Sequence, residues 1–244
     1  MSQLCLKDIQ QNTTIATMVA QANRCLEAMG YTDHGPRHVG YVARITRQIL
    51  HELGYDQRLV ELGEIAGWVH DVGNLINRDA HAQSGAALLF PVLTEMGMPH
   101  HEVVMVCTAV GNHDERSGQP VSVISAALIL ADKIDAHRAR VRSNKYDFED
   151  IHDRVNYSIR NTHVTVDIHE QVIRYECTMD KSSSIKEFLT IYMSRMDLAE
   201  KAAAYLGCTF ELIINGTLIN NKPVRPALGP NHRPVVPPTG KVNE

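Results

Sequence analysis

The chain has 244 residues, 44% of them hydrophobic, enough for one large core or for a main domain with a smaller companion. Its formal net charge of −4 argues against a general nucleic-acid coat, which needs a basic face to neutralise phosphates. No apolar run is long enough to span a bilayer, and the start MSQLCLKDIQQNTT lacks the basic-then-apolar order of a signal peptide, so a cytoplasmic protein with no membrane partner is expected.

In chain order, residues 13–29 predict a helix with Thr at its start and Gly30 past its end. His34-Gly35-Pro36 introduces a second helix with His38, Val42, Ile45 and Ile49 on one face, which puts His38 in line with the buried stripe. Asp56 is an N-cap for a third, in which Leu62, Ile65, Ala66 and Val69 point inward and His70-Asp71 fall at the C-terminal end before Gly73. A fourth helix, 79–97, carries His81 in its first turn and Pro91 inside it; a fifth runs from Pro99 to near Gly111 and leaves His113 just beyond. A sixth starts at Ser122, with Ile124, Leu128, Ala131 and Asp135 on one side and Asp132 at that side's boundary.

After residue 160 the period changes from 3.6 to 2. Val164, Val166 and Ile168 alternate, as do Ile173, Tyr175, Cys177 and Met179, which predicts a hairpin turning near His169–Gln171. Ser182–Ser184 then cap a helix bearing Ile185, Phe188, Leu189, Tyr192, Met196 and Ala199 and ending at Gly207, and Asn215-Gly216 marks a second hairpin. The expected fold is mainly α: a helical metal-binding domain over 1–159, a small C-terminal α+β unit over 160–221, and a Pro-rich tail over 222–244 that cannot build a core of its own. The five scattered cysteines form no close pair and read as reduced, packed thiols.

Six potential ligands, His38, His70, Asp71, His81, His113 and Asp132, lie on or beside these helices. Imidazoles and carboxylates gathered from separate helices can hold one or two divalent cations. Mixed N/O ligation suits Mn, Fe, Co, Ni or Zn better than Ca, with Mg admissible at a more open position. A carboxylate can bridge two cations with its two oxygens, as an imidazole cannot, and Asp71 is the natural bridge.

The order His38, His70-Asp71, Asp132, the last within Ala131-Asp132-Lys133-Ile134-Asp135, resembles the His…His-Asp…Asp signature of the HD superfamily of metal-dependent phosphohydrolases, over roughly residues 30 to 142. His81 and His113 resemble its two-metal variant. The resemblance implies an HD-type helical bundle in which His38, His70, Asp71 and Asp132 hold a first metal and Asp71, His81 and His113 a second. Asp71 is then the central catalytic residue, and a bridging water attacks phosphorus.

His34, one turn before His38, is a candidate to orient substrate; Asp114 and Asp135 are candidates to orient ligands. Arg138 resembles a basic residue that follows this motif in some nucleotide-cleaving relatives, and with Lys133 it could bind phosphate. Asn74 stands where many relatives carry a lysine, which removes one potential phosphate contact or general acid. His51, His100, His101, His137, His152, His163, His169 and His232 read as surface or packing residues, and Arg140 and Arg142, with Arg138, as a solvated face.

There is no Gly-Tyr-Pro triplet of the cyclic di-GMP hydrolases, and no Glu-Asp pair after His70-Asp71 as in the (p)ppGpp hydrolases. The ligand set and the Ala131–Arg138 segment resemble hydrolases of dinucleoside polyphosphates, so a nucleotide is the first expectation for the small phosphorylated substrate. Two alternatives are a diiron oxygenase, because some members of the superfamily use a similar set to activate dioxygen, and a catalytically weak nucleotide-binding regulator. Strand edges of the C-terminal unit offer a route to a homodimer.

Overall fold

A computed structural model describes residues 3–142 and 146–220; the Pro-rich tail falls outside the described residues. Asn12 caps the first long helix and accepts from the Ile15 N–H, so α2 runs Thr13–Ala28, preceded by a short α1, Leu6–Gln11, that the periodicity does not reveal. Gly35 precedes Pro36 at the first position of α3 (Pro36–Glu52). Asp56 accepts from the Leu59 N–H and caps α4 (Gln57–Val69), as its sequence position predicts.

A 3-10 turn, Val72–Leu75, leads on towards α5 (His81–Glu95) and α6 (His100–Gly111). Ala80 enters α5 in the left-handed region at φ 55°, a conformation that costs an L-residue roughly 1 kcal/mol. In α7 (Val123–Lys133) every position from Ile124 to Ala131 is buried, because α3, α4, α6 and α9 all pack on it. The one-sided stripe expected from the sequence is therefore replaced by a helix apolar all round. The helix also stops at Lys133, which leaves Asp135 in the following turn.

A short α8 (Ile151–Ser158) leads directly into β1 (Ile159–Asp167). β1 and β2 (Val172–Met179) form the expected antiparallel hairpin, turning through Ile168–Gln171. The chain then crosses over through α9 (Ile185–Tyr205) to β3 (Thr209–Ile214), which pairs parallel to β2; Asn215 and Gly216, both at positive φ, turn it into the two-residue β4 (Thr217–Leu218). The sheet order is β1-β2-β3-β4.

Ile173, Tyr175, Phe210, Leu212 and Ile214 bury one face of this sheet, while Arg174 and Glu211 pair across β2 and β3 at 2.8 Å. Buried side chains of the helical part and of the sheet form one continuous hydrophobic core. The five cysteines are free thiols, three of them buried. Among the described residues no helix is long and apolar enough to cross a membrane.

Candidate metal centre

Close helix packing brings the ligands together. Gly67 of α4 lies so near α3 that a Cβ there would stand 2.6 Å from the Ala43 Cα, and this contact sets His38 beside His70. The first sits one turn into α3 and the second at the C-cap of α4. Their Nε2 atoms are 3.2 Å apart. His81 opens α5, His113 follows the end of α6, and their Nε2 atoms are 3.1 Å apart.

Asp71 stands between the two pairs with its oxygens divided. Oδ2 is 3.6 Å from His38 Nε2 and 3.5 Å from His70 Nε2; Oδ1 is 3.5 Å from His81 Nε2 and 3.8 Å from His113 Nε2. Asp132, in the last turn of α7, points Oδ1 at His38 (3.5 Å) and His70 (3.6 Å). Two donors bound to one ion at about 2.1 Å stand roughly 3.0–3.5 Å apart in octahedral or tetrahedral geometry, close to these spacings. All four histidines are 2% exposed or less.

The imidazoles are oriented for ligation. Nδ1 donates to a backbone carbonyl three residues earlier in His70 (Gly67, 2.9 Å), His81 (Arg78, 2.9 Å) and His113 (Val110, 2.6 Å), and in His38 it donates to Asp135 Oδ2 at 2.7 Å. With Nδ1 committed as the donor, Nε2 presents a lone pair. Two such lone pairs face each other at 3.1 Å and two at 3.2 Å inside the protein, an arrangement that repels unless positive charge lies among them.

The pKa shifts show the same need for positive charge. Burial and Arg140 pull the His38 pKa down, but the carboxylates of Asp132, Asp135 and Asp71 overcome them and raise it to about 9, so a proton at His38 Nε2 competes with a cation for that position. Burial and His113 depress His81 to about 3. Burial works to raise the Asp71 carboxyl, and His70, His113 and His38 outweigh it and hold it well below the carboxylate range. Three overlapping sets of nitrogen and carboxylate donors, His38–His70–Asp71, His70–His113–Asp132 and Asp71–His81–His113, lie close enough to hold a divalent cation.

Around this cluster the structure sorts the remaining expected residues. Asp135 orients His38 and accepts from Arg37 Nη1 at 2.6 and 2.7 Å. Lys133 is buried, with Nζ 2.6 Å from both Asp132 Oδ2 and Glu115 Oε2, so it fixes the free oxygen of Asp132. His34 donates from Nδ1 to the Thr32 carbonyl and accepts at Nε2 from Arg140; burial and Arg140 hold its pKa well below the usual value, so it is neutral. Asp114 is buried next to His113, its pKa raised by burial and by Glu115.

Arg138 is not brought to the cluster: its guanidinium lies 4.3 Å over the Tyr157 ring and lines a separate open cleft. Arg140, read from the sequence as part of a solvated face, is instead buried, and Nη1 donates to the Asp135 carbonyl at 3.0 Å. Alternating basic residues gave no hint which of them turns inward, because the 3-10 turn at Arg138–Arg140 decides it.

Sequence reasoning also missed Glu115, Arg78 and Arg195, which line the small space beside Asp71, His81 and Asp132. Arg195 belongs to α9, so the C-terminal unit, which carries no chemistry recognisable in its sequence, does supply a site residue. Asn74, where the resemblance leads one to expect a lysine, donates to Asp71 Oδ1 at 2.8 Å and steadies that carboxylate.

Fold and site together define a mainly helical protein with a buried histidine–carboxylate cluster built to take divalent cations. No protein-family profile matches the chain, and no curated protein does. Among solved structures, the chain is similar to a predicted HD superfamily hydrolase from an uncultured Thermotogales bacterium, with 22% identity and a TM-score of 0.42 over 55% of this chain and 75% of that one.

Proposed function

We propose that the protein is an HD-type divalent-metal phosphohydrolase that cleaves a small phosphate ester, a nucleotide being the leading class. The observation that carries this reading is the division of Asp71: one carboxylate oxygen faces the His38–His70 pair and the other the His81–His113 pair. His38, His70, Asp71 and Asp132 would hold one cation, and Asp71, His81 and His113 the other. Such cations, when bound, supply Lewis acidity that acidifies a water and neutralises the phosphoryl oxygens.

The chain's own groups set the conditions for that chemistry. Asp132 stays ionised, since Lys133, His38 and His70 outweigh the burial that would protonate it. Glu115 is likewise held ionised, Lys133 and Arg195 overcoming its burial. Both therefore act as fixed acceptors of the Lys133 ammonium, which holds Asp132 in place beside the cluster. In the overall reaction water supplies the oxygen of the new P–O bond, the ester P–O bond breaks, and a proton reaches the departing alkoxide. No oxidant or reductant is required.

The test is metal analysis of the full-length protein coupled to a phosphate-release screen over nucleoside mono- and triphosphates, dinucleoside polyphosphates and sugar phosphates. Release that depends on added Mn and disappears in Asp71→Asn is the expected result. Metal binding without release from any of these, or dioxygen uptake by the iron-loaded protein, would overturn it.

A further inference from the structure

A cavity of about 180 Å³ adjoins the metal cluster and shares His34, Arg78 and Arg195 with it. Its walls come from the α2–α3 connection, α8 and α9: Met29, Tyr31, Ile191 and Tyr192 give apolar surface, and Asp150 and Asn156 give polar edges. The two arginines therefore stand where the cavity meets the ligands. Arg78 Nη1 is 3.4 Å from His81 Nε2, and among the described residues no carboxylate forms an ion pair with this guanidinium. Among the described residues Arg195 keeps only a long ion-pair contact, 3.7 Å, with Glu115, and it lies over the Tyr192 ring. Two half-buried guanidiniums with weak internal partners, next to the histidine–carboxylate cluster, suit a phosphoryl dianion.

The far part of the cavity has a different character. Among the described residues Asp150 accepts from the His152 N–H through Oδ1 alone, and its Oδ2 can take a donor such as a sugar hydroxyl. At its size the cavity is smaller than the roughly 300–1,000 Å³ of drug-sized sites, so it encloses one compact group. We propose that this cavity seats the organic half of a phosphate monoester while Arg78 and Arg195 bracket its phosphoryl group, so that the substrates are monoesters of a single sugar- or nucleoside-sized alcohol. The inference rests on the phosphohydrolase reading and narrows it away from substrates with a nucleoside at each end.

The test uses Mn-loaded full-length protein and two non-hydrolysable probes: the methylene phosphonate analogue of AMP, and methylphosphonate, which lacks the organic half. By calorimetry the nucleoside probe binds at least about tenfold tighter. Ile191→Trp, and Met29→Trp at a half-exposed position that leaves the core intact, erase that difference without weakening methylphosphonate. Arg195→Gln weakens both probes by about tenfold, the loss of one charge-assisted contact.

Equal affinity for the two probes in the unmodified protein, or undiminished preference in both tryptophan variants, would overturn the assignment. Discrimination between the probes with no phosphate released from AMP would instead remove the catalytic reading and leave the seat standing. Release from AMP without discrimination would do the reverse.

Discussion

Gly73→Ala separates the two halves of the metal cluster. Gly73 lies in the 3-10 turn that follows Asp71, and a Cβ there would stand 1.9 Å from the His81 carbonyl oxygen and 2.5 Å from the Gly85 nitrogen. Both neighbours are backbone in the first turns of α5, so neither can swing aside. To restore ordinary contact near ~3.4 Å the turn and α5 must part by about 1.5 Å, whereas metal–ligand distances tolerate only about 0.2 Å.

His81, now 3.5 Å from Asp71 Oδ1, then leaves the shared site, while His38, His70 and Asp132 on α3, α4 and α7 are untouched. The expected result is one bound ion in place of two, with a loss of about 3 kcal/mol, or roughly 10 °C in Tm for a chain of this size. Gly85→Ala is the control. Its Cβ would meet the Gly73 nitrogen at 3.2 Å and Val110 Cγ1 at 3.4 Å, so two ions and most of the stability are retained. Metal content after dialysis against excess Mn, with thermal denaturation alongside, measures both. A folded Gly73→Ala protein holding two ions would refute the reasoning.

Asp71→Asn should release both ions and His81→Ala chiefly the second, which metal stoichiometry would distinguish. Asp135→Asn should weaken metal binding by about 10- to 100-fold by loosening His38, as measured by chelator competition; unchanged affinity would remove its orienting role. Arg138→Ala should leave turnover of a phosphate ester within about twofold, while Arg140→Ala should lower it at least about tenfold, because Arg140 contacts the His38–Asp135 pair and Arg138 lies away from it over Tyr157. Arg58→Ala strands the buried Glu102 carboxylate, which accepts from Arg58 Nε at 2.7 Å, at a cost of about 3 kcal/mol in denaturant unfolding. Arg58, against the effect of burial, lowers the Glu102 pKa, so this stabilisation is fully present above the usual glutamate value near 4.5 and is lost as pH falls through the depressed one. Glu102→Gln should accordingly flatten the acid limb of stability between those values.

The sequence by itself determined most of the elements and the set of candidate ligands, though not α1 or α8. Helical spacing put His38 in line with the stripe of Val42, Ile45 and Ile49, Asp56 marked a helix start through its cap, apolar spacing placed another start near Ser122, and Asn215-Gly216 marked the second hairpin. These signals are local, depending on periodicity and on the backbone needs of a cap or turn, and local signals survive in a one-dimensional string. Only the tertiary structure decided what depends on contacts between distant segments. The parallel pairing of β3 with β2, the burial of α7 on all sides, the inward turn of Arg140 where Arg138 turns out, and the arrival of Arg195 from α9 beside Glu115 were not legible. Each is fixed by which surfaces meet, and a charged residue on a helix or turn carries no local mark of whether the facing surface is water or a metal cluster.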